Sequence, residues 1–402
     1  PATGKFNSGV TRRYTPEDWK DYAFRTGYRQ EANVQFSGAS DKTNYSTSFG
    51  FVDDEGFGIN SDYSRYSARV NVNHKPADWL NIGGNMSYAG SRYTKNGQSS
   101  DTGSIFLMAN NSPKIYSIFL RDANGDKVVD PYFGGYQYDY GLDPTPRRFS
   151  PLTNGIADAT YDLNRDYVNT VTGNFSVDIR LAKGLKLETR YGAQYENGDL
   201  NSRANPFYGS GFSTFGRLSK TASTTFNQNF LKLLRYNKVF GRNSIEAFAA
   251  HETTEWEGKY FSATKTNAIL FNTLDLDQYT QAFGKASSYS QRYALESYFG
   301  QVNYNYNQKY FLTGSVRRDG SSRFKNDKWG TFGSVGAGWL LSKEDFMSKF
   351  DFLNFFKLKA SYGLIGDQGT RVRYGWQIFS IDDTDEYSFT LSNEQGNPNL
   401  TW

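Results

Sequence analysis

Period-two alternation recurs along this chain. It is the feature that most narrows the fold, because apolar or aromatic side chains at every second position specify strands with two unlike faces. Ala32, Val34, Phe36 and Gly38 share one face, and Tyr45, Thr47, Phe49 and Phe51 share another. The pattern returns at 66–72, 80–88, 171–179 and 185–195, and again at 298–306, 310–316, 335–341 and 356–364. The intervening positions carry Asn, Gln, Ser, Thr, Arg, Asp and Gly. Residues 226–238 and 245–256 also read as strands, but their alternation slips as it does at a bulge. A thirteenth strand is expected near Tyr374, Trp376 and Ile378. The connections alternate in length: 39–42, 75–78, 181–184, 240–243 and 307–309 are short, whereas 52–63, 90–166, 197–222, 261–290 and 320–330 are long. Short turns at one end, long loops at the other and strands of about ten residues between them predict a transmembrane antiparallel β-barrel. Tyr and Trp at the strand ends fit the same reading, since amphipathic rings favour the headgroup level.

Composition removes the competing classes. Aromatic residues make up 17% of the 402, too many for a disordered chain. No apolar run approaches the roughly 20 residues of a membrane helix. With 45 basic and 41 acidic residues and no basic block, no nucleic-acid footprint is present. The absence of Cys removes thiolate chemistry, and a metal site or a Ser-His-Asp triad would have to use His74 or His251, the only two His. Neither has a second His at ligand spacing. Nothing nominates a nucleophile and base, so the chain is read as not an enzyme and without a cofactor. Residue 1 is Pro, and the natural start and any export signal are expected to lie outside this sequence.

Several segments resemble a known family. Arg317-Arg-Asp-Gly-Ser-Ser-Arg-Phe324, Trp329-Gly-Thr-Phe332, Gly338-Trp339, Ser342-Lys-Glu-Asp-Phe346 and the stretch Leu358-Lys-Ala-Ser-Tyr-Gly-Leu-Ile-Gly-Asp-Gln368 look like the barrel of SusC/RagA-type TonB-dependent transporters. Gly396-Asn-Pro-Asn-Leu-Thr-Trp402, Thr26-Gly-Tyr-Arg-Gln30, residues 37–45 and residues 65–73 are similar to further pieces of it. The resemblance implies residence in the outer membrane of a Bacteroidetes-like Gram-negative cell. It also implies import of oligosaccharides, glycans or peptides under a SusD-like surface lipoprotein, energised by TonB, ExbB and ExbD. It implies a barrel of roughly 22 strands around a plug. Residues 1–402 are expected to be about 13 of those strands, with the plug domain and the C-terminal strands not in this sequence. A passive porin, or a docking barrel in a larger outer-membrane complex, is the alternative.

Three clusters stand out as candidate sites. The long loop 90–166 is expected to be a folded extracellular unit, with Ser100 or Asp101 capping a helix over 103–111 that Pro113 stops. Within it, Tyr132, Phe133, Tyr136, Tyr138 and Tyr140 are interleaved with Gly, Gln and Asp. Aromatic faces beside amides suit sugar rings, and they suit packing within the loop or against a lid protein equally well. Arg317, Arg318, Asp319 and Arg323 form a barrel-rim motif, read as turn chemistry with a charge network or as a substrate or lid contact. Asp122, Asn124 and Asp126 are a weak calcium candidate, because the Gly falls fourth where a calcium loop has it sixth and Phe133 stands at position twelve. An Asx turn is the competing reading.

Overall fold

The computed structural model describes residues 15–96, 104–142, 147, 153–347, 349, 352–369, 379–382, 388–391 and 396–402. Its centre is one antiparallel sheet of 13 strands. The strands are β1 (Tyr28–Ala39), β2 (Thr43–Glu55), β3 (Asp62–Ala77), β4 (Leu80–Lys95), β5 (Leu163–Ala182), β6 (Leu185–Ala204), β7 (Arg217–Phe240), β8 (Asn243–Ala268), β9 (Tyr279–Ala282), β10 (Ser287–Tyr306), β11 (Tyr310–Ser321), β12 (Trp329–Leu340) and β13 (Lys357–Leu364). Each pairs with its neighbour in the chain, except that β10 pairs directly with β8 and the short β9 extends that edge of β8 beyond it. The sheet is a partial barrel wall that ends at β1 and β13 without closing. A separate pair, β14 (Phe379–Asp382) and β15 (Ser388–Leu391), stands apart from it. The strand expected near Tyr374, Trp376 and Ile378 lies outside the described residues.

Register puts every alternating set on one face. Val34 pairs with Phe49, Phe49 with Ala68, Ala68 with Tyr88, Tyr88 with Val171 and Val171 with Tyr195. On the far side, Gly314 pairs with Val335 and Val335 with Tyr362. Large apolar side chains on this face stand open to the surroundings, among them Phe36, Met86, Phe175, Val302, Leu312 and Val335. A slip of one residue would turn all of them to the opposite face, so the pattern itself fixes the pairing. Rings mark both edges of the apolar band. Tyr306, Tyr310 and Trp339 form a stacked row at the short-turn end. Tyr298 and Trp329 meet at 6.2 Å toward the long-loop end.

The slip expected in β7 and β8 is not a bulge. Their register runs unbroken from Arg217↔Thr266 to Phe240↔Asn243. Instead, Lys232 and His251 occupy positions of the apolar face, paired with each other and then with Tyr298. His251 stacks on Tyr298 at 4.7 Å and lies 3.0 Å from a Glu296 carboxylate oxygen. Polar side chains thus enter the alternation, Lys232 between Phe230 and Leu234 on β7 and His251 beside Tyr298, where the apolar set of β10 ends.

The short turns fall where the spacing places them. Gly184 shows why one of them takes glycine: its φ is +82°, and a Cβ there would sit 2.2 Å from the Asn237 carbonyl oxygen. One connection departs from the alternation in length. Between β12 and β13, at the short-turn end, the chain makes two 3-10 turns, Leu341–Lys343 and Asp345–Met347. Leu341 therefore leaves the strand the alternation gave it. Glu344 anchors this connection to the ring row, accepting from Tyr310 Oη at 2.6 Å, Trp339 Nε1 at 2.9 Å and Lys309 Nζ at 3.1 Å. The Tyr310 hydroxyl first, then Trp339 and Lys309, hold its carboxyl down at about 2.

The strands outrun the alternation at the long-loop end. β8 has 26 residues, although about 9–11 tilted residues suffice to cross a bilayer. Their upper parts carry a compact cap that contains most of the fully buried apolar side chains.

Candidate functional site

The cap is built from the long loop between β4 and β5, the segment before β1 and the loops that follow β6 and β8. Helix α1 (Lys20–Ala23) precedes β1, and the loop supplies α2 (Ile105–Asn111) and α3 (Gly155–Tyr161). Ser104 caps α2 by accepting from the Leu107 N–H, in place of Ser100 or Asp101, which lie outside the described residues. Asn154 Oδ1 accepts from the Ile156 and Ala157 N–H groups and caps α3. Ile105, Met108 and Ala109 form one face of α2 and bury against Trp19, Ala23, Ile118, Phe119, Ile156 and Ala159. Glu17 ties the N-terminal segment down, lying 3.1 Å from Arg121 Nη2 and 2.7 Å from Lys127 Nζ. Burial raises the Glu17 pKa, but bonds from Lys127 and Tyr22 and the charges of Lys127 and Arg121 bring it below the usual range.

The loop aromatics divide into two groups. Phe133 stacks on Tyr161 at 4.2 Å, Tyr138 packs on Phe119 at 4.9 Å, and Tyr140 is buried beside Tyr208. These three are the cap's own packing. Tyr132 and Tyr136 remain 55% and 49% exposed. Tyr132 lies flat on Phe207 at 3.8 Å, and Tyr136 meets Phe119 edge-on across a small meander in which it pairs with Val129. Only this pair offers ring surface outward.

Two acids organise the cluster. Asp130 is buried and accepts from Tyr161 Oη at 2.6 Å, Tyr208 Oη at 3.2 Å and the backbone N–H groups of Tyr132 and Phe133. Burial pushes its carboxyl up, but these donors together bring it below the usual value. Asp158 is placed the other way. Burial, then the nearby charge of Asp162, pushes it up to about 7, against one hydrogen bond from Tyr140 Oη at 2.9 Å. The Asn154-Gly155 pair ahead of Ile156 was the available sequence signal for this helix.

The calcium candidate is an Asx turn. Asp122 Oδ1 accepts from the Asn124 and Asp126 N–H groups, both at 2.9 Å. Among the described residues no three His, Asp or Glu side chains gather as a metal site.

The rim motif is split between the faces. Arg317 Nε reaches Asp319 Oδ1 at 2.7 Å and Arg317 Nη2 reaches Ser297 at 2.9 Å, with Glu252 3.7 Å away. Arg318 lies on the apolar face over the Trp329 ring at 5.4 Å. Arg323 folds back to bond the Gly369 carbonyl and covers Tyr293 at 4.3 Å. The four residues therefore form turn and edge structure rather than one pocket.

The opposite sheet face is polar. Asn44, Ser46, Asn71, Asn85, Asn174 and Ser176 line a concavity of about 750 Å³, in which Asn174 donates to Asn85 at 3.0 Å and Asn71 to Ser46 at 3.0 Å. Beside it, Lys186 bridges Asp178 at 3.0 Å and Glu188 at 3.4 Å, and Arg235 reaches Glu188 at 2.9 Å. Higher on this face two ring pairs bridge β8 and β10, Trp256 with Tyr293 and Tyr260 with Tyr289. The sequence reading missed them, because the pairs join residues more than 25 positions apart.

No family model matches the chain. It is 28% identical over 369 residues to the TonB-dependent receptor P39 of Formosa agariphila, covering 87% of this chain and 32% of that protein. It is 26% identical over 417 residues to the TonB-dependent receptor SusC of Bacteroides thetaiotaomicron, covering 96% of this chain and 39% of that protein. The structure of the RagAB peptide transporter superposes on 96% of this chain and 42% of its own, with a TM-score of 0.80 and 25% identity. The chain is SusC/RagA-like, and its sheet corresponds to the barrel of such a TonB-dependent receptor. It spans from 32% to 39% of the length of the curated relatives it matches.

Proposed function

We propose that this chain forms part of the wall and the extracellular mouth of an outer-membrane importer for glycans or peptides. The observation that carries the reading is the apolar face bounded by two ring rows. A band of side chains open to the surroundings, with aromatic belts at both edges and a polar opposite face, suits a wall between lipid and an aqueous lumen. The relatives' names supply the transport chemistry: a receptor coupled to TonB, and for RagAB a peptide transporter. Short turns then face the periplasm, and the cap over residues 96–162 faces outward. A SusD-like lipoprotein lid would meet the cap at its exposed apolar residues, of which Tyr132, Tyr136 and Val129 are neighbours in the meander. Substrate would be enclosed between lid and lumen and released when TonB pulls on the plug. No bond in the substrate is made or broken.

Uptake by cells carrying the full-length protein tests this. It should stop when TonB is deleted, and the full-length protein should co-purify with a surface lipoprotein. Uptake that persists without TonB would make the barrel a passive porin. Absence of any lipoprotein partner would remove the lid from the mechanism.

A further inference from the structure

The apolar face of the sheet holds two cations in one row. Lys232 pairs with His251, His251 with Tyr298 and Tyr298 with Arg318 across β7, β8, β10 and β11. Each of the four lies eight residues along its strand from the short-turn end: Lys232 from Phe240, His251 from Asn243, Tyr298 from Tyr306 and Arg318 from Tyr310. At about 3.3 Å per residue and a tilt of about 40° that is roughly 20 Å above the turns, in the outer half of an apolar band about 25 Å tall. Phe230 and Leu234 flank Lys232 on its face of β7, and Val316 precedes Arg318 on its face of β11. A cation among lipid-facing side chains is unfavourable unless its head reaches water or an anion.

Both cations lean the same way. Lys232 Nζ sits 4.8 Å from the centre of the Phe230 ring, and the Arg318 guanidinium 5.4 Å from that of Trp329. Phe230 is two residues nearer the long-loop end than Lys232, and Trp329 pairs with Gly320, two residues beyond Arg318 in the same direction. The charged heads therefore rise toward the outer edge of the band, as long basic side chains do when the nearest polar phase lies on that side. Both are exposed, and among the described residues neither forms an ion pair. The carboxylates close by are engaged elsewhere. Glu296 accepts from Tyr298 Oη at 2.8 Å and lies 3.0 Å from His251 Nε2, and Glu255 accepts from Arg292 Nη2 and Gln228 Nε2, each at 3.0 Å. Three strand spacings of about 4.8 Å put the cations roughly 14 Å apart, with the Tyr298 ring between them.

We infer that this row is a docking site for an outer-leaflet lipid whose headgroup carries phosphate, with Lys232 and Arg318 as its anion contacts and the Tyr298 ring as the floor between them. Ammonium and guanidinium groups donate to phosphate oxygens through charge-assisted hydrogen bonds. The ring faces beneath the two cations orient the heads but give their N–H groups no oxygen acceptor. Arg318 leans toward β12, away from Lys232, so the two heads do not converge on one phosphate. Their spacing suits a headgroup with two separated anionic groups. The inference rests on the importer reading above for the position of this face in a membrane.

The test uses the full-length protein, purified in detergent and stripped of lipid, with bound lipid read by native mass spectrometry. The probes are diphosphorylated lipid A and the same lipid with both phosphates removed. The wild type should bind the phosphorylated form about thirtyfold more tightly, at about fivefold per cation, and the preference should shrink as salt is raised. Lys232→Gln together with Arg318→Gln should erase the preference. Lys232→Arg together with Arg318→Lys keeps both charges and should keep most of it, which separates lost charge from an altered wall. Equal affinity of the wild type for the two lipids, or an unchanged preference in the Gln variant, would overturn the site and leave the cations as an unselective rim. An equal loss in the charge-keeping variant would also overturn it. Cross-linking of Lys232→Cys or Arg318→Cys between two copies in native membranes would give the row to a second barrel and overturn the lipid. If the preference depends on both cations but uptake is independent of TonB, the importer reading fails and the lipid site stands.

Discussion

Replacing Asp158 by Asn should stabilise the cap progressively above about pH 4, with the full effect reached from about pH 7. The carboxyl sits in the first turns of α3, partly enclosed, with Asp162 nearby and a single donor in Tyr140. Gly209 approaches closely, its φ of +61° placing a Cβ only 2.5 Å from Asp158 Oδ1. The pKa rises from 3.8 to about 7. A raised acid pKa means that the folded cap binds the proton more tightly than the unfolded chain does. Its contribution is therefore fully present below pH 3.8, falls as pH rises, and is lost by about pH 7. A shift of about three units corresponds to a ceiling of about 4 kcal/mol at 1.36 kcal/mol per unit. Partial enclosure and the favourable field of the helix N-terminus lower this to about 2 kcal/mol. Asn keeps an oxygen that can accept from Tyr140 and removes the ionisation. Amide hydrogen exchange in α3 of the full-length protein should then be about thirtyfold slower in Asp158→Asn than in wild type at pH 8, and alike in the two at pH 4, after correction for intrinsic rates. Equal protection at pH 8, or wild-type protection that grows with pH, would refute the assignment of a carboxyl whose ionisation the folded cap opposes.

Three further outcomes follow from the sheet and the cap. Ala337→Arg should destabilise the reconstituted protein by about 2–4 kcal/mol in denaturant unfolding, and Ser334→Arg by less than half of that, because only Ala337 shares the apolar face; equal costs would put the register off by one. An impermeant maleimide on intact cells should label Phe212→Cys and miss Gly241→Cys above the background of the unsubstituted full-length protein, and the reverse would invert the proposed sidedness. Phe212 is the better probe than Asn201, which the spacing places in a loop but which is a buried residue of β6. Tyr132→Ala with Tyr136→Ala should cost the cap less than about 1 kcal/mol while weakening lid association or uptake, whereas Tyr140→Ala should cost about 3–5 kcal/mol through the cavity it leaves; comparable losses of α3 protection would erase the division between packing and surface rings.

The strands were readable only where two different solvents act on the two faces. From Tyr298 to Tyr306, or Leu185 to Tyr195, one face meets an apolar environment and the other a polar one, so every second residue reports the face it is on. Beyond that band both faces are wet. The selective reason for alternation ends, and Ser287–Ser297 or Arg217–Thr225 look like loop although they are hydrogen-bonded strand. The slip in β7 and β8 has a different origin: Lys232 and His251 place polar side chains at positions of the apolar face, and the register continues through them. The loop aromatics were readable as a cluster but not as a division, since what separates Tyr140 from Tyr136 is α3 and the 205–216 loop folding onto one and not the other. The ring pairs of β8 and β10 were hidden twice over. Trp256, Gly258 and Tyr260 lie in or just beyond the stretch of β8 where alternation had lapsed, and Tyr289 and Tyr293 come from a part of β10 that looked like loop. Side chains that face water rather than lipid obey no period, so the wall above the apolar band is the part of it that a single sequence conceals.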